Sequence, residues 1–576
     1  MKINFNKESA VRYFCFSVIL AYLLVGVAFP LIELVIKSLY NISTTESVNG
    51  TLTTTEHFVG FKNFVDYVSD KNLFGSLLNS VRIALTATCI VLFISFWAAY
   101  ALQRTQMRWK SFFRIVFMLP MFAPTMFYGL ALVYLFGRQG IFTTGFFGLV
   151  PGFDINLYGP VGITISEMFY IFPPTLIIMI VSFGNIDRRL YEAADALGSS
   201  KVKTFFSVTL PGVKYGLMSA FFAGFTLVFT DFGAPKVVGG NYNVMAVDIY
   251  KRVVGQQDFY MGATISIILL IPALLSFFAD RIVQRKQTAG LSAKSKPFVP
   301  KSVPRRDWVF FGFSWTVAIA IILMVAVGFY ASIVKMWPYD FSINFSNYFF
   351  EETAGSRGLT PFYNSLKLAF YTAVFGTILS FLSAYFVTKS RGMERFKKSV
   401  SVLSLIPLAL PGLVIGFSYI FFFNRPTIFG MANPFSSIYG TMAILVLSNM
   451  IHFYTVSFMT AKTALQQLDN EFDTVSESMG IPFWTTFRRV TVPVCLPAII
   501  EIFMYYFASS MATVSAVIFL YSPKTIPATV SIINMDDAGD QAPALAMCML
   551  IIVTNVIIKI ISEVVLKKLK KKRSAH

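Results

Sequence analysis

The stretch "YEAADALGSSKVKTFFSVTLP" at residues 191–211 is a polar and charged segment in a strongly apolar chain. A second segment, "DTVSESMGIPFWTTFRRVTVP" at residues 473–493, carries a glycine and a final proline at the same spacing. The two glycines, Gly198 and Gly480, lie 282 residues apart in a chain of 576. This long offset predicts two related halves, each of which contains one such loop.

The composition places both loops in a membrane protein. Hydrophobic residues make up 56% of the chain, charged residues 13%, and the mean hydropathy is +0.65. Segments of about 20 nearly uncharged residues match the thickness of a bilayer core. We therefore predict an all-α polytopic fold with about 12 transmembrane helices. Our predicted spans lie near 11–37, 77–101, 112–136, 160–184, 215–238, 260–281, 309–334, 364–388, 399–424, 438–460, 495–520 and 541–566.

The net charge of +19 suits a nucleic-acid partner in principle, but the position of the charges argues against one. The segments on the N-terminal side of the membrane hold 34 of the 48 Lys and Arg residues. The positive-inside rule then predicts that both termini are cytoplasmic, in a bacterial inner membrane. The basic tail at 567–576 fits an anchoring role beside anionic lipids.

The halves repeat in sequence as well as in spacing. "NSVRIALTATCIVLFISFWAAYALQR" at 79–104 is similar to "NSLKLAFYTAVFGTILSFLSAYFVTK" at 364–389, and "LPMFAP" at 119–124 pairs with "IPLALP" at 406–411. Six spans per half leave both halves in the same orientation, so the repeat is parallel. We predict a first domain at 1–284, a cytoplasmic linker at 285–307 and a second domain at 308–576.

The first loop has the features of a short rigid docking element. Residues 190–197 suit a helix that Asp187 caps, and Gly198 is placed to end that helix in a left-handed turn. Phe205 and Phe206 are predicted to be exposed apolar anchors. A capped helix in a loop without any partner is the alternative interpretation.

These loops resemble the signature loop of ABC importer permeases, which reads E-A-A, three residues, G, nine residues and I-x-L-P. The second copy keeps only the frame, because Thr474 stands at the acidic position. The resemblance implies that the loops at 187–211 and 469–493 couple this chain to an ATPase. The residues that would carry the coupling are Glu192, Ala193, Ala194, Gly198, Leu210, Pro211, Ser476, Gly480 and Pro493.

The resemblance further implies a type I ABC importer permease with two fused permease domains. In that family the loop is a coupling helix that enters a groove on a cytoplasmic ATPase subunit, and an extracytoplasmic solute-binding protein delivers the substrate. The segments 38–76 and 335–363 are long enough to contribute to its docking surface. Because the chain lacks G-x-x-x-x-G-K-[ST], we expect no ATP site of its own, no enzymatic activity, and ATP use by two partner subunits. No cofactor or metal site is expected.

The resemblance narrows toward fused permeases of the 2-aminoethylphosphonate and ferric-iron importers. The stretches at 230–259 and 511–523 look like the phosphonate branch, so a phosphonate is the predicted substrate and ferric iron the alternative. Iron-type permeases usually carry a Glu near the position of Thr513. A carboxylate there would be a hard oxygen ligand for iron.

Six residues are candidates for the translocation pathway. Two lysines follow prolines near the fifth span of each half, where they would attract an anionic head group or simply snorkel. An ionised Asp231 within a span is costly and would face a cavity, a partner or structural hydrogen-bond donors. The candidates are Asp231, Lys236, Thr513, Lys524, Glu167 and His452.

Two other classes of protein compete with this interpretation. An ion-coupled secondary transporter with twelve spans would explain the repeat and Asp231, but not the two matched loops. A receptor or scaffold without transport activity is a more distant alternative. A gene for an ATPase beside the gene for this chain would favour the ABC importer.

Overall fold

The computed structural model describes residues 7–46, 52–289, 298–350, 358–390, 393–428, 431–469 and 471–573. The predicted linker and basic tail therefore lie partly outside the described residues. Helices dominate both halves, as predicted. The helices of the first half are α1 Lys7–Leu23, α2 Phe29–Ser38, α3 Lys62–Ser69, α4 Lys71–Arg104, α5 Lys110–Met118, α6 Thr125–Phe136, α7 Gly145–Gly148, α8 Pro160–Gly184, α9 Arg188–Ala196, α10 Lys201–Thr204, α11 Leu210–Thr230, α12 Gly233–Val238, α13 Met245–Tyr250 and α14 Phe259–Ala289.

The second half repeats most of this order. Its helices are α15 Pro304–Ile333, α16 Thr360–Lys389, α17 Glu394–Leu403, α18 Gly412–Phe423, α19 Met442–His452, α20 Tyr454–Gln466, α21 Glu471–Ser478, α22 Phe483–Thr486, α23 Val492–Ala512, α24 Ala528–Ala538 and α25 Gln541–Arg573. Across the described ranges, nine helices are long and apolar enough to cross a membrane, or up to twelve when three bent pairs each count as one span.

Three antiparallel hairpins lie in the connections between helices. Their strands are β1 Tyr40–Glu46 with β2 Leu52–Phe58, β3 Val334–Met336 with β4 Asp340–Ile343, and β5 Thr427–Ile428 with β6 Met431–Ala432. The first two hairpins fall in the segments 38–76 and 335–363.

The third span of each half is broken, although the sequence suggested continuous helices at 112–136 and 399–424. The segments Lys110–Phe122 and Thr125–Phe136 meet at 103°, and their counterparts in the second half meet at 113°. The breaks fall in the repeated "LPMFAP" and "IPLALP" motifs. A proline lacks a backbone N–H and disfavours helical geometry in the residue before it, so Ala123 is extended with ψ at 147°.

The fifth span of each half is displaced from the predicted position. Instead of 215–238 and 495–520, continuous helices cover Lys201–Thr230 and Phe483–Ala512. Each contains one π-helical turn, which keeps the chain helical from the polar loop into the span. The fifth spans therefore begin inside the two loops rather than at their final prolines.

Each half packs its first span against the other half. Helix α2 packs on α18, where the Tyr419 hydroxyl donates a hydrogen bond to the Gly26 carbonyl at 2.8 Å. In the same way α15 packs on α6, and the Trp337 indole N–H, in β3–β4, donates to the Gln139 carbonyl at 2.9 Å. These exchanged helices join the two halves over large apolar surfaces.

Candidate functional site

The first predicted coupling helix forms as the sequence indicates. Helix α9 begins after Asp187, whose carboxylate accepts a hydrogen bond from the Arg189 backbone N–H at 3.0 Å. It ends at Gly198, whose φ of +67° is the left-handed geometry that glycine adopts without steric cost. Glu192 forms an ion pair with Arg188 at 2.7 Å on the exposed surface of the helix.

The second loop has the same backbone geometry despite its different sequence. Helix α21 is followed by Gly480 at φ +65°, and the Ile481 N–H donates to the Ser476 carbonyl at 2.9 Å. Met479 and Trp484 expose 70% and 54% of their surface. The frame that the two loops share therefore encodes a turn.

One predicted anchor is exposed and the other is not. Phe206 is 62% exposed, but Phe205 stacks on Trp97 with centroids 5.8 Å apart and an interplanar angle of 8°. The prediction for Phe205 was wrong because the π-helical turn directs its ring back toward α4. The apolar surface that remains exposed consists of Leu197, Val202 and Phe206.

Basic side chains hold the last turns of the fourth spans. Arg104 donates to the Phe183 carbonyl at 2.6 Å, and Lys389 donates to the Leu468 carbonyl at 3.2 Å. Cations are favourable at helix C-termini, where carbonyls lack partners within the helix. The sequence analysis missed both residues, although each is the last residue of a repeated stretch, 79–104 or 364–389.

The first residues of the same stretches hold the opposite end of each half. The Asn79 side chain donates to the Asn243 carbonyl at 3.0 Å, and Asn364 donates to the Lys524 carbonyl at 3.1 Å. The adjacent hydroxyl of Ser80 accepts a hydrogen bond from the Met245 N–H at 2.9 Å. The shared "NS" pair was a signal for these contacts that the sequence analysis did not use.

The fifth spans end at Asp231 and Thr513, which occupy equivalent positions 282 residues apart. The Asp231 carboxylate accepts a hydrogen bond from the Ala234 N–H at 3.0 Å and lies beside Glu167 of α8. Neither carboxyl oxygen of Glu167 is exposed, and neither has a hydrogen-bond donor within bonding geometry. The structure thus brings together two carboxyl groups that the sequence analysis treated separately.

The corresponding region of the second half carries different chemistry. His452 ends α19, and its Nδ1 atom is buried without a hydrogen-bond partner. A methyl group added at Gly412 would lie 3.2 Å from the His452 ring. The Thr513 carbonyl accepts a hydrogen bond from Thr529 at 2.9 Å. The candidate pathway is therefore acidic at its first-half break and neutral or basic at its second.

The two lysines do not occupy matching places, contrary to the sequence analysis. Lys236 lies within α12 and forms an ion pair with Asp537 of the second half at 2.6 Å. Lys524 is exposed in a turn, and its backbone carbonyl occupies the position that corresponds to Asn243. Only Lys236 lies at the contact between the halves.

A cavity of about 730 Å³ opens where the halves meet, on the side opposite the two loops. Arg138 and Tyr158 contribute from the first half, and Lys335, Trp337 and Asp540 contribute from the second. The β3–β4 hairpin therefore forms part of its wall. Among the described residues, no group of three or more His, Cys, Asp or Glu side chains is arranged to hold a metal ion.

Two parallel helical halves, with broken third and fifth spans and matched loops on one side, define a fused membrane permease. The chain belongs to the family of binding-protein-dependent transport system inner membrane components, which matches residues 74–288 and 376–571. It is therefore a multi-pass inner-membrane transport subunit of an ABC importer.

Several relatives are similar across both halves. The chain is 27% identical over 473 residues to the ferric transport system permease protein FbpB of Actinobacillus pleuropneumoniae, covering 80% of this chain and 66% of that relative. It is 22% identical over 471 residues to the Fe(3+)-transport system permease protein FbpB 2 of Haemophilus influenzae, covering 81% and 84%. PhnV of Salmonella paratyphi A, whose name assigns it to 2-aminoethylphosphonate transport, is 21% identical over 208 residues, covering 36% and 75%.

Proposed function

We propose that this chain forms the translocation pathway of a ferric-iron importer. The observation that carries the proposal is the similarity to permeases named for ferric transport over 75–81% of the chain. This reverses the order of the two substrates in the sequence analysis. A 2-aminoethylphosphonate importer remains the second candidate, because a relative with that assignment aligns with 36% of the chain.

The charges along the candidate pathway support a cationic substrate. Asp231 and Glu167 place two carboxyl groups side by side at the break of the fifth span. Carboxylate oxygens are hard ligands that attract iron and repel an anionic phosphonate. Lys236, which would attract a phosphonate, is already engaged by Asp537.

Transport would draw its energy from separate subunits. Two cytoplasmic ATPase subunits would bind the loops at 187–211 and 469–493, and they alone would use ATP. The exposed apolar side chains of Leu197 and Met479 suit insertion into a groove on each partner. A solute-binding protein would dock on the opposite side, beside the β1–β2 and β3–β4 hairpins, and both termini would be cytoplasmic.

Uptake by the reconstituted complex tests the substrate. The chain, its ATPase and its binding protein are placed in proteoliposomes, with ATP inside and radioactive ferric iron or 2-aminoethylphosphonate outside. We expect ATP-dependent accumulation of iron and none of the phosphonate. Accumulation of the phosphonate alone would replace iron with the second candidate, and accumulation driven by an ion gradient without ATP would contradict an ABC importer.

A further inference from the structure

The segment that follows the first half returns to the first coupling helix. Helix α14 ends at Ala289, and residues 298–303 precede the start of α15 at Pro304. The Phe298 ring packs against the Tyr191 ring with centroids 4.7 Å apart. Tyr191 belongs to α9, so the connection between the halves contacts the element that we assign to ATPase coupling.

A buried guanidinium group joins these two rings. Arg104 is 3% exposed, and its guanidinium carbon lies 4.4 Å from the Phe298 centroid, 5.3 Å from Tyr191 and 5.6 Å from Phe183. Cation–π attraction is stronger when the cation is removed from water. The four side chains, hereafter the Arg104 cage, connect the linker, α9 and the end of the fourth span.

Hydrogen bonds fix the linker on the far side of the cage. The Gln106 side chain donates to the Pro300 carbonyl at 2.8 Å, and its backbone N–H donates to Asp307 at 3.2 Å. Arg306 donates to the Lys301 carbonyl at 2.6 Å. Residues 298–307 are thus bound to the first half before α15 enters the second half.

The Arg104 cage also reaches the base of the fifth span. The Tyr191 hydroxyl lies 3.1 Å from the Thr209 hydroxyl, at the end of the π-helical turn. A displacement of α9 is therefore opposed by Phe298 and Arg104 on one side and by Thr209 on the other. Such a connection transmits motion of α9 into α11 instead of letting the helix move alone.

The second half does not contain the residues for an equivalent cage. The position 282 residues after Tyr191 is Asp473, and the counterpart of Arg104 is Lys389. An aspartate supplies no aromatic ring, and an ammonium group lacks the planar face of a guanidinium. The two coupling loops therefore share a backbone frame but differ in how they are supported.

We propose that Phe298 and Arg104 are positioning residues that hold α9 in the orientation its ATPase partner requires. The interdomain linker then serves as a brace for the first coupling helix as well as a covalent connection. This inference rests on the proposed role of α9 in binding the ATPase. Loss of the brace leaves the helix intact but free to move, so ATP is hydrolysed with less transport.

Spin-label mobility measures the brace directly. Nitroxide labels are placed at Leu197, which is 85% exposed, or at Met479, which is 70% exposed, in the full chain bound to its ATPase in nanodiscs. We expect Phe298→Ala to increase mobility at residue 197 and to leave residue 479 unchanged. Phe298→Tyr, which keeps the ring, should restore the unmodified spectrum at 197. Unchanged mobility at 197 in Phe298→Ala would overturn the proposal.

The functional readout is ferric-iron uptake divided by ATP hydrolysis in the complete importer. We expect this ratio to fall about three- to tenfold in Phe298→Ala and in Arg104→Lys, and to stay unchanged in Val299→Ala, a 59%-exposed neighbour. A ratio unaffected in both cage variants would refute the brace. Gly198→Pro separates the two levels: if it also leaves coupling intact, the proposed role of α9 fails, whereas an effect of Gly198→Pro alone rejects only the brace.

Discussion

At the scale of single residues, the pair formed by Asp231 and Glu167 is the most unusual feature of the membrane interior. Two carboxyl groups share a region in which Glu167 has no hydrogen-bond partner. Buried acidic groups without a counter-charge are costly and are retained where they meet a substrate or a proton. Their second-half counterparts, His452 and Thr513, do not repeat this chemistry, so the acidic pair belongs to one half only.

Neutralising either carboxyl group should slow iron transport. We expect Asp231→Asn and Glu167→Gln to lower uptake about tenfold to a hundredfold, which corresponds to about 1–3 kcal/mol of lost interaction. The amount of assembled complex should not change. Thr513→Val, at the position equivalent to Asp231, is the matched control and should have a small effect. Normal iron uptake by both acidic variants would remove these residues from the pathway.

Asp536 gives a second residue-level prediction, which concerns pH. Burial raises the pKa of its carboxyl group to about 6, the neighbouring Asp537 adds to this rise, and Lys236 opposes it. A carboxyl group whose pKa is raised by folding stabilises the fold while it is protonated, and this stabilisation is lost as the pH rises through about 6. The upper bound is about 3 kcal/mol, since one pKa unit corresponds to about 1.4 kcal/mol.

We therefore expect the melting temperature of the purified chain to decline between about pH 4 and pH 7 in part because Asp536 ionises. Asp536→Asn should remove that part of the decline, and Asp540→Asn, a nearby acidic variant, should retain it. Identical pH profiles for Asp536→Asn and the unmodified chain would contradict this assignment.

At the scale of elements, the two left-handed glycines are the features that both coupling loops share. A Cβ atom at Gly198 or Gly480 would meet nothing within 4 Å, so any cost of substitution arises from the backbone alone. An alanine in left-handed geometry costs about 1 kcal/mol. The turn, and not a side-chain contact, is what these positions supply.

Substitution of Gly198 should therefore impair coupling without impairing insertion. We expect Gly198→Pro to abolish ATP-driven uptake, because proline cannot adopt a φ of +67°, and Gly198→Ala to reduce uptake about two- to fivefold. Gly184→Ala is the control, since that glycine also has open space around it but has no positive φ. Full uptake by Gly198→Pro with the ATPase still bound would disprove the coupling role.

At the scale of the whole molecule, the halves are joined by exchanged first spans and by the ion pair between Lys236 and Asp537. The Asp537 side chain is 46% exposed, so Lys236→Gln should lower stability by only about 0.5–1 kcal/mol. Lys236→Asp should cost more, because it adds a third carboxylate beside Asp536 and Asp537. Thermal denaturation should show recovery when Asp537→Lys is combined with Lys236→Asp; an unchanged or lower melting temperature in the double variant would refute the pairing.

The orientation of the molecule is a further prediction at this scale. Val202, in the first coupling loop, and Phe153, on the opposite side, expose 68% and 65% of their surface. In a background without native cysteines, Phe153→Cys should react with a membrane-impermeant maleimide in intact cells. Val202→Cys should react only after the cells are permeabilised. The reverse pattern would place the termini outside.

The features that the sequence determined by itself are local ones. Hydropathy located the twelve spans, and the Gly-to-Pro spacing located both coupling turns, because each signal lies in contiguous residues. The Asp187 cap was predictable for the same reason. The breaks in the third spans were encoded too, in the repeated proline motifs, but the sequence analysis used those motifs only as a sign of the repeat.

Only the tertiary structure decided which distant residues meet. Lys236 and Asp537 are 301 residues apart, and Phe298 reaches Tyr191 across the whole fifth and sixth spans. The direction of Phe205 depended on a π-helical turn that hydropathy does not reveal. Apolar spans can pack against one another in many ways at similar local cost, so these partners are chosen by the combined packing of both halves and not by the residues around each position.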